Sequence, residues 1–468
     1  MSMEVKNILI IGAGKAGRLL EKDIRENHLE CRVVGFVDDK PTKGVSLLGK
    51  IKDVSVILES YRVDELVIAI PSADGVLVRS ILLENKGNRV PIRIVPREQR
   101  IVGASQVAYK DVKNLHPEDF LGRPFVRKNV DRLKKFYKGK VVFVTGGAGS
   151  IGSEIVRQLI DLEVKKVVVY DSSEYLVFLL EQQLKERNQL SHCQLVVGSI
   201  LHDNKLDYLF STIKPDVVFH AAAYKHVHLM QDNIDEAIYN NVIGTKRVID
   251  AAVANKVKLF TFISTDKVVN PTSVMGATKK LCEYYISCLK SPSTKFNIVR
   301  FGNVINSNGS ALPLFERQMD LYGYVTVTHE KMQRFFMSIR EAAQLVIEST
   351  AFGKSNTIHI LNMGELIGIY DVALCLIRSR NMVVGEDIEV RITGLRKGEK
   401  MIEELYTATE EGEMKTDRSK KYFTLKNTQA CPRDVFTLFQ ELEEQVKKGR
   451  SHSSLQKTMK SIFPSLKS

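Results

Sequence analysis

The sequence predicts an α/β protein with two parallel-sheet domains in tandem. Two segments support this: residues 7–17 (NILIIGAGKAG) and 140–152 (KVVFVTGGAGSIG) are both apolar, strand-like runs that lead into a glycine-rich turn. A helical stretch and a further strand follow each turn, and both regions continue with alternating strand and helix signals. This alternation is typical of parallel sheets with helices packed on their faces.

Length and composition exclude several classes of protein. The 468 residues suffice for about three domains, or for two of which one is large. With 44% hydrophobic and 26% charged residues, disorder over the whole length is excluded. There is no apolar run of the roughly 18 residues that span a membrane, and no signal-peptide pattern. We therefore expect a cytoplasmic protein. The six cysteines lack zinc spacing, so no metal is expected.

The alternating signals divide the chain into four segments. Residues 1–100 form the first α/β domain, which ends after the strands DELVIAIP and VPIRIVP. Residues 101–139 are predicted to be a basic linker, and residues 140–440 a second, larger α/β domain. Residues 441–468 are polar and basic, and we expect a loose tail there.

The net charge of +13 lies outside the predicted domain cores. Residues 123–140 carry eight Lys or Arg and one Asp, and residues 445–468 carry six Lys or Arg and no acid. The two stretches account for the whole excess, so no nucleic-acid partner is expected. A basic tail of this kind can make weak contact with an anionic membrane surface.

The second glycine-rich turn predicts a dinucleotide site. Glycine allows a tight turn and lets backbone N–H groups approach a pyrophosphate at a helix N-terminus. An aspartate ends the next strand 19 residues after the last glycine, where its carboxylate can bind a ribose 2′-hydroxyl. Two serines follow it, with no Arg to hold a 2′-phosphate, which favours NAD over NADP. The predicted cofactor contacts are Gly146, Gly149, Ser150, Ile151, Gly152 and Asp171.

The first glycine-rich turn leaves two interpretations open. Gly12, Gly14 and Gly17 have the same pattern, and Asp38 ends the next strand 21 residues after Gly17. This spacing fits a nucleotide-type ligand. The alternative is a docking or regulatory domain that kept the fold without the cofactor.

Several longer motifs occur in order from residue 140 to about residue 410: VTGGAGSIG, HAAAYKHV, NNVIGT, ISTDKVVNPTSVMGATK, VRFGNV and finally ITGLRKGEKMIEEL. With them the chain resembles the extended short-chain dehydrogenase/reductases, and among these the nucleotide-sugar 4,6-dehydratases of surface-polysaccharide synthesis. The resemblance implies two Rossmann-like domains, the first CoA-binding-like. The second would be a doubly wound parallel sheet with a small C-terminal substrate-binding subdomain.

The same resemblance implies a homo-oligomer. Long members of the group usually begin with several membrane helices, which this sequence does not show, so membrane attachment is not carried over.

The expected proton-transfer residue is replaced in this chain. The superfamily pairs a tyrosine with a lysine four residues later; the lysine holds the nicotinamide ribose and lowers the pKa of the phenol. Here the matching positions are Met275 and Lys279. Because a thioether cannot exchange a proton, the resemblance implies that neighbouring residues act instead.

Those neighbours are Ser264, Thr265, Asp266 and Lys267, at the C-terminal end of the strand LFTFIST, which is the sheet edge where ligands of doubly wound sheets bind. By resemblance Lys267 is the base that removes the proton at sugar C5, and Asp266 is the acid that protonates the leaving C6 hydroxyl. A lysine base must be neutral. We therefore expect a desolvated pocket around Lys267, or a nearby cation such as Lys279.

Four further residues are predicted to face the substrate. Lys225 follows a strand end, where it can meet a phosphate or hydroxyl, and His226 beside it is expected to be structural or a sugar hydrogen-bond partner rather than a base. Asn303 is expected to contact cofactor or sugar. Arg334 can bind a diphosphate bidentately, the alternative being a surface salt bridge.

Together these features predict a hydro-lyase that uses NAD to convert a UDP-sugar, with UDP-N-acetylglucosamine as the expected substrate, to its 4-keto-6-deoxy form. The implied reaction oxidises C4, removes water across C5–C6 and returns hydride to C6. Two alternatives stay open: an epimerase or reductase on the same fold, and a non-catalytic nucleotide-binding scaffold.

Overall fold

The computed structural model describes residues 5–96, 107–122, 129–416, 421–428 and 431–467. They form two compact units. The first draws on residues 1–126, 309–332 and 367–394, and the second on 127–308, 333–366 and 395–468. In the described part of the chain, no helix combines the length and the apolar character needed to cross a bilayer.

The N-terminal part of the first unit is a six-stranded sheet with helices. Its central strand is buried, because Ile8 to Ile11 are inaccessible to solvent. The elements are β1 (Lys6–Ile11), α1 (Lys15–Asn27), β2 (Cys31–Val37), β3 (Leu47–Gly49), α2 (Val54–Ser60), β4 (Glu65–Ile68), α3 (Gly75–Glu84), β5 (Ile92–Ile94), β6 (Lys113–Asn114) and α4 (Pro117–Leu121). The strand order is β3-β2-β1-β4-β5-β6, in which β6 alone is antiparallel to its neighbour.

Part of the predicted linker therefore belongs to the first unit. The backbone of β6 pairs with β5, and α4 buries Phe120 and Leu121. Residues 97–106 and 123–128, which include the start of the basic stretch, lie outside the described residues.

The second unit contains the larger sheet. Its elements up to residue 308 are α5 (Val130–Tyr137), β7 (Val141–Thr145), α6 (Ser150–Ile160), β8 (Lys166–Asp171), α7 (Glu174–Glu186), β9 (Cys193–Val197), α8 (Asp203–Ile213), β10 (Val217–His220), α9 (Val227–Asp232), α10 (Ile234–Ala237), a π-helix (Ile238–Gly244), α11 (Thr245–Ala254), β11 (Leu259–Ile263), α12 (Val274–Cys288), β12 (Lys295–Arg300) and β13 (Asn303–Ile305).

The rest of the chain contributes to both units. Its elements are α13 (Ala311–Tyr322), β14 (Tyr324–Val327), β15 (Gln333–Ser338), α14 (Ile339–Phe352), β16 (Thr357–Leu361), β17 (Leu366–Gly368), α15 (Ile369–Ser379), β18 (Glu389–Ile392), α16 (Ala408–Glu413), β19 (Lys415–Thr416), β20 (Tyr422–Lys426), α17 (Val435–Lys447) and α18 (His452–Ile462). In the first unit β14 pairs with β18, and in the second β13 pairs with β15, both in parallel.

The large sheet has nine strands in the order β19-β20-β16-β12-β11-β10-β7-β8-β9. Its strands from β16 to β9 are parallel, and β20 runs antiparallel beside β16. The strand order reverses between β7 and β10, so the crevice at their carboxyl ends is the expected ligand position. The predicted α/β class with two parallel sheets is confirmed.

The C-terminal tail differs from the expected loose segment, because residues 452–462 form α18. Leu455, Met459 and Ile462 recur at helical spacing and are almost fully buried. Burial of this apolar stripe stabilises a helix that the polar, basic composition concealed.

Candidate active site

The glycine-rich turn after β7 requires glycine at two positions. Gly146 has a φ of +62°, and a Cβ there would lie 2.7 Å from the backbone nitrogen of Ala222, which follows β10. A Cβ on Gly152 would lie 2.1 Å from the carbonyl oxygen of Gly146. Close backbone approach therefore explains both glycines, and α6 begins beside the turn at Ser150.

Asp171 stabilises this turn from the end of β8. Its Oδ2 accepts a hydrogen bond from the backbone N–H of Ala148 at 3.0 Å, and its Oδ1 accepts one from the N–H of Ser173 at 2.9 Å. A narrow glycine turn, a helix N-terminus and a carboxylate at the next strand end fit a dinucleotide. These residues would hold the pyrophosphate and the adenosine ribose of NAD.

The first unit repeats the same local geometry. Gly12 has a φ of +107°, and Asp38 Oδ2 accepts a hydrogen bond from the N–H of Ala13 at 2.8 Å. A cavity of about 580 Å³ lies beside the turn, with Lys15 and Lys40 among its lining residues. The first unit therefore has the same turn geometry as the second, with space beside the turn.

The predicted acid and base follow β11 in a short 3-10 turn, Asp266–Val268. Asp266 is fully buried, and its Oδ1 accepts hydrogen bonds from Thr265 Oγ1 at 2.8 Å and from Lys267 Nζ at 2.9 Å. Its Oδ2 is buried without a hydrogen-bond partner among the described residues. The turn thus brings the two predicted groups into direct contact.

A buried ionic network supports the start of this turn. Ser264 donates a hydrogen bond to Glu283 Oε1 at 2.8 Å, and Arg300 donates to both oxygens of Glu283 at 2.8 and 2.7 Å. Arg300 also binds Glu410 on α16. Because the buried charges are paired and multiply hydrogen bonded, the network fixes the strand end that carries the predicted catalytic residues.

Met275 and Lys279 lie one turn apart on α12, and both are buried. Lys279 Nζ is 3.9 Å from the centre of the Phe262 ring, and burial lowers the pKa of Lys279 to about 8. A Cβ on Gly276 would lie 2.3 Å from the carbonyl oxygen of Lys267. The helix therefore packs directly against the turn that holds the predicted acid and base.

A cleft of about 140 Å³ adjoins Lys267. Asn303 and Arg334, both predicted from sequence, also line it, together with Val227 and Glu403. Lys267 Nζ donates a hydrogen bond to Asn303 Oδ1 at 3.2 Å and lies 3.9 Å from Glu403 Oε1. The structure thus brings together Lys267, Asn303 and Arg334, and it adds Glu403.

Glu403 was missed at the sequence level. The residue lies in the motif ITGLRKGEKMIEEL, which contributed to the family resemblance, but five other acidic or basic residues in that motif make any one of them inconspicuous. No spacing rule connects it with Lys267, because 136 positions separate the two in the chain.

The electrostatics around Lys267 differ from the expectation of a lowered pKa. Burial acts to lower it, but the carboxylates of Asp266 and Glu403 together outweigh burial, so the pKa of Lys267 is raised. Burial raises the pKa of Glu403, and the charge of Asp266 adds to that effect. The lysine whose pKa is markedly lowered is Lys279.

Arg334 is largely engaged by the protein itself. Its Nη1 donates to the carbonyl oxygens of Gln333 at 2.7 Å and Met401 at 3.1 Å, and its Nη2 donates to that of Lys400 at 2.8 Å. Its Nε lies 3.9 Å from Glu403 Oε1. Arg334 is buried and therefore does not form the surface salt bridge that was the alternative. It orders the backbone before Glu403 and also lines the cleft.

Lys225 and His226 lie after β10, as predicted, but outside the lining of the cleft beside Lys267. The Lys225 side chain is exposed. The pKa of His226 is lowered by the partial burial of its ring and by the charge of the neighbouring Lys225. The Asn241 side chain, on the π-helix, accepts a hydrogen bond from the backbone N–H of Tyr224 at 2.8 Å and donates one to its carbonyl oxygen at 3.0 Å. Its amide also donates to Thr278 on α12 at 3.2 Å, which ties the segment before Lys225 to that helix.

Known proteins resemble the chain over both sheets. The profile of a family described as "Polysaccharide biosynthesis protein" matches residues 142–427, and that of a CoA-binding domain matches residues 2–96. The probable polysaccharide biosynthesis protein EpsC of Bacillus subtilis is 37% identical over 413 residues, which are 86% of this chain and 68% of EpsC.

Among solved structures, Pen from Bacillus thuringiensis has a TM-score of 0.58 at 35% identity and covers 63% of this chain and 92% of its own. DesIV of Streptomyces venezuelae, a dTDP-glucose 4,6-dehydratase whose double mutant was crystallised with NAD and DAU, has a TM-score of 0.51 at 22% identity. It covers 56% of this chain and 87% of its own, and it shows a likeness of fold alone.

Proposed function

Since the chain belongs to the polysaccharide biosynthesis protein family, as its motifs predicted, we propose that it is an NAD-dependent nucleotide-sugar 4,6-dehydratase. The proposed substrate is UDP-N-acetylglucosamine or a close UDP-sugar, and the product is the 4-keto-6-deoxy sugar. Dehydratases and epimerases share this family and this fold, so reaction, substrate and cofactor all have to be proposed from the residues of the site.

The observation that carries the proposal is the direct contact of Asp266 with Lys267 beside a helix on which Met275 replaces the usual phenol. Loss of water across C5–C6 needs one group that takes a proton and another that gives one. An epimerase needs no base at C5 and would normally keep the phenol. A carboxyl and an amine at one strand end therefore favour dehydration.

In the proposed reaction Lys267 takes the proton from C5, and Asp266 gives a proton to the C6 hydroxyl as it leaves. The Thr265 hydroxyl donates a hydrogen bond to Asp266 Oδ1 and so orients the carboxyl. Asn303, hydrogen bonded to Lys267, positions the amine. Lys225 and His226, which lie after β10 and outside the cleft beside Lys267, would contact a part of the substrate that extends beyond that cleft. When bound, NAD supplies the hydride acceptor for C4 and the hydride donor for C6.

On the cofactor side, Gly146, Gly149, Ser150, Ile151 and Gly152 would hold the pyrophosphate, Asp171 the adenosine ribose and Lys279 the nicotinamide ribose. Lys279 is buried next to Phe262, and a pKa near 8 leaves it able to carry a charge there. These assignments rest on the glycine cradle after β7, on the position of Asp171 at the end of β8 and on the position of Lys279 on α12.

Incubation of the purified protein and NAD⁺ with UDP-N-acetylglucosamine and related UDP-sugars tests the proposal. A dehydratase gives a product lighter by one water, which mass spectrometry detects. An epimerase gives a product of unchanged mass with altered chromatography, and a scaffold gives no product; either result would overturn the proposal.

A further inference from the structure

Glu403 is a buried carboxyl in the cleft, and the proposed reaction above does not use it. Its side chain is 4% exposed, and its Oε2 has no hydrogen-bond partner among the described residues. Its Oε1 lies 3.9 Å from both Lys267 Nζ and Arg334 Nε. A buried carboxyl without a hydrogen bond is costly, so the presence of Glu403 beside Lys267 needs an explanation.

Four groups face this carboxyl. Lys267 and Asp266 approach from the turn after β11, Arg334 from β15, and Lys400 from the segment before Glu403 itself. Lys267 is bracketed in turn by two carboxylates, Asp266 at 2.9 Å and Glu403 at 3.9 Å. The ammonium form of Lys267 is therefore favoured while Glu403 is ionised, and less so when Glu403 is neutral.

We propose that Glu403 is a positioning residue that sets the protonation state of Lys267. This inference rests on the proposed function. As a carboxylate, Glu403 holds Lys267 as the ammonium; as a neutral carboxyl, it allows Lys267 to pass a proton to Asp266. In that transfer an N–H bond of Lys267 breaks, an O–H bond forms on Asp266 Oδ1, and both groups become uncharged.

The transfer prepares both reagents of the elimination at once. The neutral amine of Lys267 can take the C5 proton, and the protonated Asp266 can give its proton to the departing C6 hydroxyl. After water leaves, Lys267 is again an ammonium and Asp266 a carboxylate, so the original ion pair is restored. The raised pKa of Glu403 supports this scheme, because it extends the pH range in which Glu403 is neutral.

Competitive labelling with a trace of acetic anhydride, read by peptide mass spectrometry, measures the pH at which Lys267 becomes half reactive. Glu403→Gln keeps the size of the side chain and removes its charge, so the half-labelling pH of Lys267 falls by about one unit. The matched control is Glu404→Gln, next in sequence and 50% exposed, which leaves that pH unchanged. An unchanged value in Glu403→Gln overturns the inference.

The pH profile of water loss from the UDP-sugar is the second readout. Wild-type kcat falls as the pH rises through the pKa of Glu403, and so does kcat of Glu404→Gln. Glu403→Gln retains its low-pH kcat over the same range. A uniform drop in kcat with the wild-type profile would show a merely structural role, and a dead Glu403→Gln that still binds NAD⁺ and substrate would show a proton donor; both contradict the inference.

The two proposals fail in different ways. If no UDP-sugar loses water with wild type, the proposed dehydratase function fails. The labelling experiment needs no turnover, and it still decides whether Glu403 sets the protonation state of Lys267.

Discussion

The ammonium of Lys267 donates a 2.9 Å hydrogen bond to the carboxylate of Asp266, the residue immediately before it in the chain. Consecutive side chains of a strand point to opposite faces of the sheet, so this contact requires the 3-10 turn that follows β11. The turn places an amine and a carboxyl in direct contact at the carboxyl edge of the sheet.

Lys267→Ala should abolish the proposed dehydration and leave the binding of substrate and NAD⁺ largely intact, because the change removes the proposed C5 base. Turnover is followed by the loss of one water, and binding by calorimetry. In D₂O the wild type is expected to place deuterium at C5 of the product, since the proton on the base exchanges with solvent. The variant should lose both turnover and exchange; near-normal turnover would refute the role of Lys267.

Met275→Ala should be far milder than Lys267→Ala, because no proton passes through a thioether. The loss of buried volume should mainly lower the thermal midpoint. Comparison of kcat with the far-UV melting curve separates the two effects. A folded Met275→Ala that is as inactive as Lys267→Ala would contradict our assignment.

Asp266→Asn keeps the shape of the carboxyl but cannot give a carboxyl proton. The expected result is a stalled reaction, in which sugar oxidised at C4 accumulates with its C6 hydroxyl still present. Quenched-flow mass spectrometry detects this species as the substrate less two hydrogens, with no loss of water. Normal product formation would remove Asp266 from the mechanism.

Asp171→Ala should weaken NAD⁺ binding by about 1–3 kcal/mol, the cost of losing charge-assisted hydrogen bonds. Asp38→Ala is the matched control, because Asp38 makes the same contact with its own glycine turn in the first unit. Calorimetric titration should show wild-type NAD⁺ affinity at the catalytic site for the control. Tighter binding of NADP⁺ than of NAD⁺ by wild type would overturn the cofactor preference.

Gly276→Ala should lower the free energy of unfolding by about 1–3 kcal/mol, because its Cβ would overlap the carbonyl oxygen of Lys267. Activity should fall as well, since the turn must shift. Gly412→Ala, also in a helix but with no atom within 4 Å of the added Cβ, should be neutral or slightly stabilising. Equal urea midpoints for the two variants would contradict the packing argument.

Lys279 should make stability rise with pH. Its pKa is about 8 in the folded protein against 10.5 for the ordinary value, so the unfolded chain binds more protons between these two pH values. Below pH 8 its burial costs about 3 kcal/mol of unfolding free energy, and that cost fades as the pH approaches 10.5. In Lys279→Met this rise should be absent from urea titrations, whereas the exposed Lys295→Met should retain it.

The parallel sheets could be predicted from the sequence alone, because apolar strands followed by glycine turns are local patterns. It was also sufficient for the neighbourhood of Asp266, Lys267, Met275 and Lys279, which one continuous motif carries. The helical tail was missed, because buried positions such as Leu455 and Met459 are sparse in a polar, basic segment.

What the sequence determined was therefore the set of residues that follow each strand, since strand and turn propensities act over a few positions. What the tertiary structure alone decided was the environment of those residues. Glu403, 136 positions after Lys267, comes within 3.9 Å of it, and that approach raises the pKa of the lysine instead of lowering it. Electrostatic interactions depend on distance in space, which no local pattern records.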